Sequence, residues 1–299
     1  MPSWSPDGKD IYYVQIRDGE GLWPVNGVST KFVLEVPTLM RVKADGSAKP
    51  ERLANGKFKK GRYSWSYWIR QPVLSPDGKR IALITDAPDP NENNVILQFF
   101  DTKTRKIRSA NVSESGLLGH QDPEWRPDGK YLLYTRNARE GTKGAPIIAR
   151  YDPATKKARA LTSAGYVQAS YSPDGRYIAA TRTSNLGTDV VILDANSGRE
   201  LLRLTNDDRS FGPSWSPAGD GVAYLHLQGQ TVDLRLARLE GTGPGWTVAE
   251  TIPLTEVSGL DAASRPDWFI PSSDLPPPTP SPTPEATPSA SPSDASPAP

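Results

Sequence analysis

The chain of 299 residues contains no cysteine and two histidines, His120 and His226. Without cysteine it can form neither a disulfide bond nor a catalytic thiolate. The two histidines belong to no H-E-x-x-H or other zinc motif, and no G-x-S-x-G nucleophile elbow is present. These absences argue against an enzyme, and we expect neither a cofactor nor a metal ion.

An excess of charge of one sign is also missing, because 35 Lys and Arg residues face 34 Asp and Glu residues and leave a net charge of +1. A balanced charge gives no reason to expect nucleic acid as a partner. No apolar run approaches the ~20 residues of a membrane-spanning helix, so we expect no direct insertion into a membrane.

What the chain does have is a repeat built on Pro, an apolar residue and a turn. Five copies occur, at residues 2–8 (PSWSPDG), 72–78 (PVLSPDG), 123–129 (PEWRPDG), 169–175 (ASYSPDG) and 213–219 (PSWSPAG), and residues 266–268 (PDW) repeat the first half. The apolar residue recurs after 70, 51, 46, 44 and 53 residues. The shorter steps approach the roughly 40–45 residues of a four-stranded propeller blade.

Each copy predicts a tight hairpin. Pro presets φ at the first central position of the turn, Asp suits the next, and Gly accepts a positive φ. Short apolar runs of strand length follow, then a third strand, and then a more polar fourth strand that closes near Leu-Thr at residues 161–162, 204–205 and 254–255. The sequence therefore predicts an all-β fold of radially arranged, four-stranded antiparallel blades.

The motif P-x-[WLY]-[SR]-P-[DA]-G, with Asp turns and Leu-Thr ends, resembles the TolB-like, WD40-like β-propeller repeat. The resemblance covers residues 2 to about 270 and implies a six-bladed ring that binds partners. Two departures are the fifth turn, Pro217-Ala-Gly-Asp220, and the incomplete sixth copy. TolB-like blades also accompany the catalytic domain of prolyl oligopeptidase-like enzymes, so the fold alone does not decide the function.

We expect a propeller over residues 1–271 with five full blades and one strand of a sixth. The predicted blades span residues 2–69, 70–121, 122–168, 169–211 and 212–263, with a partial blade at 264–271. Two arrangements could complete the ring: upstream residues that supply the missing strands of blade six, which we favour, or a five-bladed ring with residues 264–270 against blade one.

Residues 272–299 are rich in Pro, Ser and Thr and are expected to form a disordered tail. This tail and the TolB resemblance favour an exported protein, periplasmic or on the cell surface.

Two insertions in the first repeat, residues 17–36 and 57–70, are expected to share one face of the ring. They combine aromatic and cationic side chains of the kind found in interface hot spots. The candidate partner-binding residues are Trp23, Phe32, Arg62, Tyr63, Trp65, Tyr67, Trp68 and Arg70. The alternative is a local packing cluster in which the two insertions cover each other.

A second candidate site is the channel mouth on the same face. Gln71, Asp122, Gln168, Gly212 and Arg265 all stand three residues before the repeating apolar residue, at the start of an inner strand. The candidate residues around this opening are Gln71, His120, Asp122, Tyr166, Gln168, Phe211 and Arg265. The alternative is a set of solvated loop ends.

We therefore expect a monomeric, non-enzymatic scaffold that binds a protein or peptide through the insertions and the channel mouth. The rival is the propeller domain of a larger enzyme, such as a prolyl oligopeptidase-like hydrolase.

Overall fold

The computed structural model describes residues 2–112, 119–137, 145–241, 243 and 245–275, which excludes most of the expected tail. Every regular element in these ranges is a β-strand, and the described residues contain no helix long and apolar enough to cross a membrane. The strands form five antiparallel sheets in sequence order. The predicted all-β propeller of four-stranded blades is confirmed.

The strand bounds follow the repeat. Blade one contains β1 (Ser3–Trp4), β2 (Asp10–Val25), β3 (Val28–Lys43) and β4 (Glu51–Asn55), and it carries an extra hairpin of β5 (Lys57–Lys60) and β6 (Tyr63–Ser66). Blade two contains β7 (Arg70–Leu74), β8 (Arg80–Thr85), β9 (Ile96–Asp101) and β10 (Ile107–Ser109). Blade three contains β11 (His120–Trp125), β12 (Leu132–Arg136), β13 (Ile147–Asp152) and β14 (Lys157–Ala160). Blade four contains β15 (Tyr166–Tyr171), β16 (Tyr177–Thr183), β17 (Thr188–Asp194) and β18 (Glu200–Arg203), and blade five contains β19 (Ser210–Trp215), β20 (Gly221–Gln228), β21 (Thr231–Glu240) and β22 (Thr247–Pro253).

The five hairpin turns have the predicted geometry. Their glycines Gly8, Gly78, Gly129, Gly175 and Gly219 have φ between 67° and 78°. In each turn the glycine N–H donates to the carbonyl of the residue three positions earlier, as Gly78 does to Ser75 at 2.8 Å. The prediction of a positive φ at these glycines is confirmed.

The core lies between neighbouring blades. Phe99 of blade two packs against Trp125 and Tyr151 of blade three, with ring centroids 5.7 and 5.5 Å apart. A similar layer between blades four and five contains Tyr177, Val190 and Trp215. Because these faces pack against each other, the blades stand around a common axis.

The first insertion is the outer part of a long hairpin, here named the arm and defined as residues 17–36. Strands β2 and β3 remain paired over 16 residues each, from Asp10↔Lys43 to Val25↔Val28. Asn26 and Gly27 at its tip have φ of 49° and 79°, which is the pattern of a two-residue type I′ turn. Strand β6 joins the arm through the pair Leu22↔Ser64.

Residues 264–270, here named the closing segment, lie between blades five and one without forming a strand. Trp268 donates its indole N–H to the carbonyl of Trp215 in blade five. Asp267 accepts a hydrogen bond from the backbone N–H of Trp4 in blade one at 2.9 Å, and Phe269 stacks on Trp4 with centroids 5.8 Å apart. The closing segment therefore contacts both blade five and blade one.

The closing segment nevertheless takes the place of a sixth inner strand. In blade five the backbone N–H of Trp215 donates to Ser170 of blade four at 3.2 Å. Trp4 makes the same kind of bond to Asp267, and both acceptors directly precede a repeating aromatic residue. The ring therefore has six positions, of which five are sheets.

Candidate functional site

The two insertions of blade one contact each other through Trp65. Its ring lies 5.2 Å from that of Trp23 on the arm and 4.7 Å from that of Phe58, both edge to face. Trp65 is half-buried as a result, whereas Trp23 keeps 46% of its surface exposed. Phe58 was not among the predicted site residues, although its position opposite Trp65 across the β5–β6 turn follows from the alternation in both strands.

Trp68 and Arg70 form a separate exposed pair beside this cluster. The guanidinium carbon of Arg70 lies 4.2 Å from the centroid of the Trp68 ring, which is 41% exposed. The backbone N–H of Trp68 donates to Asp86 of blade two at 2.7 Å, which anchors this part of the insertion to the neighbouring blade. An exposed ring stacked under a cation and held by a rigid backbone can contact a partner at little entropic cost.

The other predicted residues of this surface divide into anchored and exposed ones. Tyr67 is half-buried and donates its hydroxyl hydrogen to the carbonyl of Asn55 at 2.9 Å. Arg62 is exposed and stacks over Tyr63, with 5.2 Å between guanidinium carbon and ring centroid. Phe32 lies over Gly21 on the arm, where a Cβ atom would stand 2.4 Å from its ring. The structure therefore combines packing between the insertions with an exposed aromatic and cationic rim.

Four of the residues that stand three positions before a repeating apolar residue lie at backbone bulges. Gln71, Asp122 and Gln168 have φ of 50°, 52° and 54°, and Gly212 has 59°. Each lies where the register of the inner strand shifts against its neighbour. A positive φ is uncommon outside glycine, so the bulge is a repeated structural device that aims these residues toward the next blade.

Their side chains connect adjacent blades by hydrogen bonds. The Gln71 amide donates to Asp122 Oδ1 at 2.9 Å and accepts from the Asp122 backbone N–H at 2.8 Å. Gln168 Oε1 accepts from the backbone N–H of Gly212 at 3.0 Å and from the Thr181 hydroxyl at 2.8 Å. Gln71 and Asp122 thus join blades two and three, and Gln168 joins blades four and five.

Three further candidates for the channel mouth have other surroundings. His120 is 1% exposed, its Nδ1 accepts from the Leu97 N–H at 3.1 Å, and its ring packs on Tyr134 with centroids 4.6 Å apart. Tyr166 donates to Glu200 of the outer strand at 2.9 Å. Phe211 is half-buried opposite Leu225 in its own blade.

Arg265 crosses the channel from the closing segment. Its guanidinium donates to Glu124 Oε2 of blade three at 2.7 Å and to the carbonyl of Ala169 in blade four. Burial raises the pKa of the Asp122, Glu124 and Asp267 carboxyl groups, and the charge of Arg265 partly opposes this effect for all three. The described part of the channel therefore sets three carboxyl groups around one guanidinium.

A cavity of about 500 Å³ continues the channel toward the hairpin turns. Its wall contains the repeating residues Trp4, Leu74, Trp125, Tyr171, Trp215 and Trp268, with prolines from the turns. Glu124 and Asp267 provide the acidic groups in this mostly apolar wall. The described residues contain no cluster of His, Asp and Glu side chains that could hold a metal ion.

Ser210, His226 and Asp207 in blade five are a group that the sequence analysis did not find. Ser210 Oγ lies 3.2 Å and Asp207 Oδ2 lies 3.3 Å from the same nitrogen, His226 Nδ1. A Ser-His-Asp triad needs serine and carboxylate on opposite ring nitrogens and an accessible serine, whereas Ser210 is fully buried. This group is a structural hydrogen-bond cluster.

The family model described as the TolB β-propeller domain matches residues 59–244 of this chain. The chain belongs to this family. Among solved structures, TolB from Acinetobacter baumannii is similar, with a TM-score of 0.55 and 19% identity over 83% of this chain and 53% of that one. A putative TolB from Agrobacterium tumefaciens gives a TM-score of 0.59 and 19% identity over 85% of this chain and 79% of that one.

This TolB-type propeller also resembles an oligogalacturonate lyase in complex with manganese, with a TM-score of 0.53 and 16% identity over 80% of this chain and 65% of that one. At these identities the likeness shows the fold alone. The chain spans about half the length, 53%, of the Acinetobacter TolB. No curated protein matches it.

Proposed function

We propose that this TolB-type propeller is a non-enzymatic scaffold that binds a protein or peptide on the face carrying the first-blade insertions. The observation that carries the proposal is the exposed pair of Trp68 and Arg70, stacked at 4.2 Å beside the Trp23–Trp65 cluster. Aromatic and arginine side chains on a rigid support are the usual centres of binding energy at protein interfaces.

The channel supports the same proposal and indicates the charge of the ligand segment. Asp122, Glu124 and Asp267 share a single guanidinium, that of Arg265, among the described residues. Excess carboxylate in a partly desolvated channel favours a basic side chain or a terminal amine over an acidic group.

A binding experiment with the full chain tests the scaffold. The immobilised protein is used to capture partners from an extract of the source cells, and the captured protein is then titrated by calorimetry. We expect Trp68→Ala combined with Arg70→Ala to weaken this binding by about tenfold or more, because two rim contacts are lost, while the melting temperature stays unchanged.

Leu186→Ala is the matched control, since Leu186 is an exposed apolar residue in a loop of blade four. It should bind as the unmodified chain does. Equal affinity for the Trp68 and Arg70 variant and the control would contradict the proposal. A large loss of stability in that variant would instead favour the packing-cluster interpretation.

The rival function is the propeller domain of an enzyme such as a prolyl oligopeptidase-like hydrolase. It would require a hydrolase domain encoded in the same reading frame, which sequencing of the flanking DNA would reveal.

We also propose that the protein is exported, on the basis of its Pro-rich tail and its TolB-type fold. Recovery of the protein only in the cytoplasmic fraction of fractionated cells would contradict export.

A further inference from the structure

The outer half of strand β3 has an open edge. Strand β4 pairs with β3 from Thr38↔Asn55 to Arg41↔Glu51, and Gly56 donates to the carbonyl of Pro37 at 2.7 Å. In the described part of the chain no strand pairs with the side of β3 that faces away from β2 between residues 28 and 36. Such an edge is a template for another strand.

One hydrogen bond identifies the residues of β3 whose backbone N–H and C=O groups point to the open side. The Pro37 carbonyl points away from β2, because it accepts from Gly56 on the β4 side. Since inward and outward groups alternate along an antiparallel strand, Glu35, Val33 and Lys31 also direct their N–H and C=O groups to the open side. Val33 lies at the middle of this edge and is 79% exposed.

The side chains along the edge are self-complementary. A two-fold axis through Val33 pairs each residue with the one equally far on the other side, so Lys31 stands opposite Glu35 of a second copy. Glu35 is exposed and has no ion-pair partner among the described residues, whereas the ion pair of Lys31 is with Glu20 of its own arm, at 3.0 Å. A lysine on an edge strand usually discourages pairing, but here each copy supplies the opposite charge.

The length of the edge fits the same axis. The open stretch begins at the arm tip, Val28, and ends at Pro37, where the β4 side begins, so Val33 lies near its centre. In the two-fold arrangement Phe32 stands opposite Leu34 of the other copy. Residues 30–36 of the two copies can therefore pair before either copy meets the other's Gly56 and β4.

We propose that the chain forms a symmetric dimer in which β3 pairs antiparallel with β3 of a second copy about Val33. The dimer replaces the monomer expected from the sequence, and it does not depend on the scaffold function proposed above. The interface is isologous, because the same strand edge serves both copies.

Sedimentation velocity of the full chain over a range of concentrations tests the dimer. We expect a reversible monomer–dimer equilibrium for the unmodified protein. Lys31→Glu and Glu35→Lys should each weaken it by about tenfold or more, because two attractive cross-strand pairs become repulsive. The double variant carrying both changes should dimerise about as well as the unmodified protein.

The Val33→Pro variant is a second, independent test of the same interface. Proline is tolerated on an edge strand where the N–H points outward, so the arm should stay folded while the central hydrogen bonds to the second copy are lost. Glu20→Gln is the control, since it removes the ion pair within the arm without changing the edge. The proposal is overturned if the unmodified chain stays monomeric at every concentration, if the edge captures only a different protein, or if the double variant fails to recover.

Discussion

At the scale of single residues, the turn glycines show how one position can have two roles. Gly8 and Gly78 occupy the same place in the repeat, with φ of 67° and 69°. A Cβ atom on Gly78 would have nothing within 4 Å, whereas one on Gly8 would lie 2.1 Å from the ring of Phe269. Gly8 is therefore needed both for its turn and for the contact with the closing segment.

We predict that Gly8→Ala lowers the free energy of unfolding by more than Gly78→Ala. The second change should cost about 1 kcal/mol, because alanine is strained at positive φ. The first must also displace Phe269 from Trp4. Urea unfolding of both variants measures the difference, and Phe269→Ala should reduce the penalty at Gly8 to that at Gly78. Equal penalties in the unmodified background would disprove the contact.

Residue-level features were the most predictable from sequence, because Pro, Asp and Gly act through their own backbone preferences. Even the departure at the fifth turn keeps its hydrogen bond: Ala218 replaces Asp, and Ser216 donates to Asp220 instead at 2.7 Å. The bulges at Gln71, Asp122 and Gln168 could not be foreseen in this way. Neither Gln nor Asp requires a positive φ, and the conformation is imposed by bonds to the neighbouring blade.

At the scale of elements, the inner strands are connected through these bulges. Gln168 accepts from Thr181 within blade four and from Gly212 in blade five. The polar atoms of Gln71, Asp122 and Gln168, which were predicted at the channel mouth, form hydrogen bonds within and between blades. The predicted aromatic site divides similarly, since Trp65 packs inward and Trp68 remains exposed.

We predict that Gln168→Ala lowers the free energy of unfolding by about 1–3 kcal/mol, because the buried Thr181 hydroxyl loses its acceptor and the Gly212 N–H keeps only its bond to Thr181. Gln228→Ala, at an exposed position near the end of β20, is the control and should change it by less than about 0.5 kcal/mol. Thermal and urea unfolding monitored by tryptophan fluorescence provide the comparison. A loss no larger than that of the control would show that the bond between blades contributes nothing.

At the scale of the whole molecule, the ring is joined by the closing segment. The alignment of Trp268 with the other repeating aromatic residues predicted the location of this segment. The contact between Arg265 and Glu124, which are 141 positions apart, could not be predicted from the sequence, because it depends on the closed ring. The open edge of the arm could not be predicted from the sequence either, because it depends on where the pairing of β4 with β3 ends.

We predict that Arg265→Met destabilises the protein in a pH-dependent way. Burial already raises the pKa of Asp122, Glu124 and Asp267, so the folded state holds their protons more tightly and stability falls as the pH rises through the raised values. Removing Arg265 raises these pKa values further. The loss at pH 7 should reach about 3 kcal/mol, the lower end for a broken buried pair, since the Glu124 side chain is 21% exposed.

At pH 4 the same variant should lose less, because the raised pKa values of these carboxyl groups favour their neutral form as the pH falls and so reduce the unpaired buried charge. Urea unfolding at both pH values measures the two losses, and Arg209→Met, at an exposed arginine, serves as the control. A loss that is equal at pH 4 and pH 7 would refute the electrostatic role of Arg265.

The closing segment also determines how the molecule responds to mechanical force. Its hydrogen bonds and ring contacts with blades one and five among the described residues come from three consecutive residues, 267–269, whereas each sheet is held by ladders of backbone hydrogen bonds. Tension applied through the chain after Ile270 would load these contacts one after another, as in peeling, before it reached any ladder. The ring would open at a defined seam at low force, with its five sheets still intact.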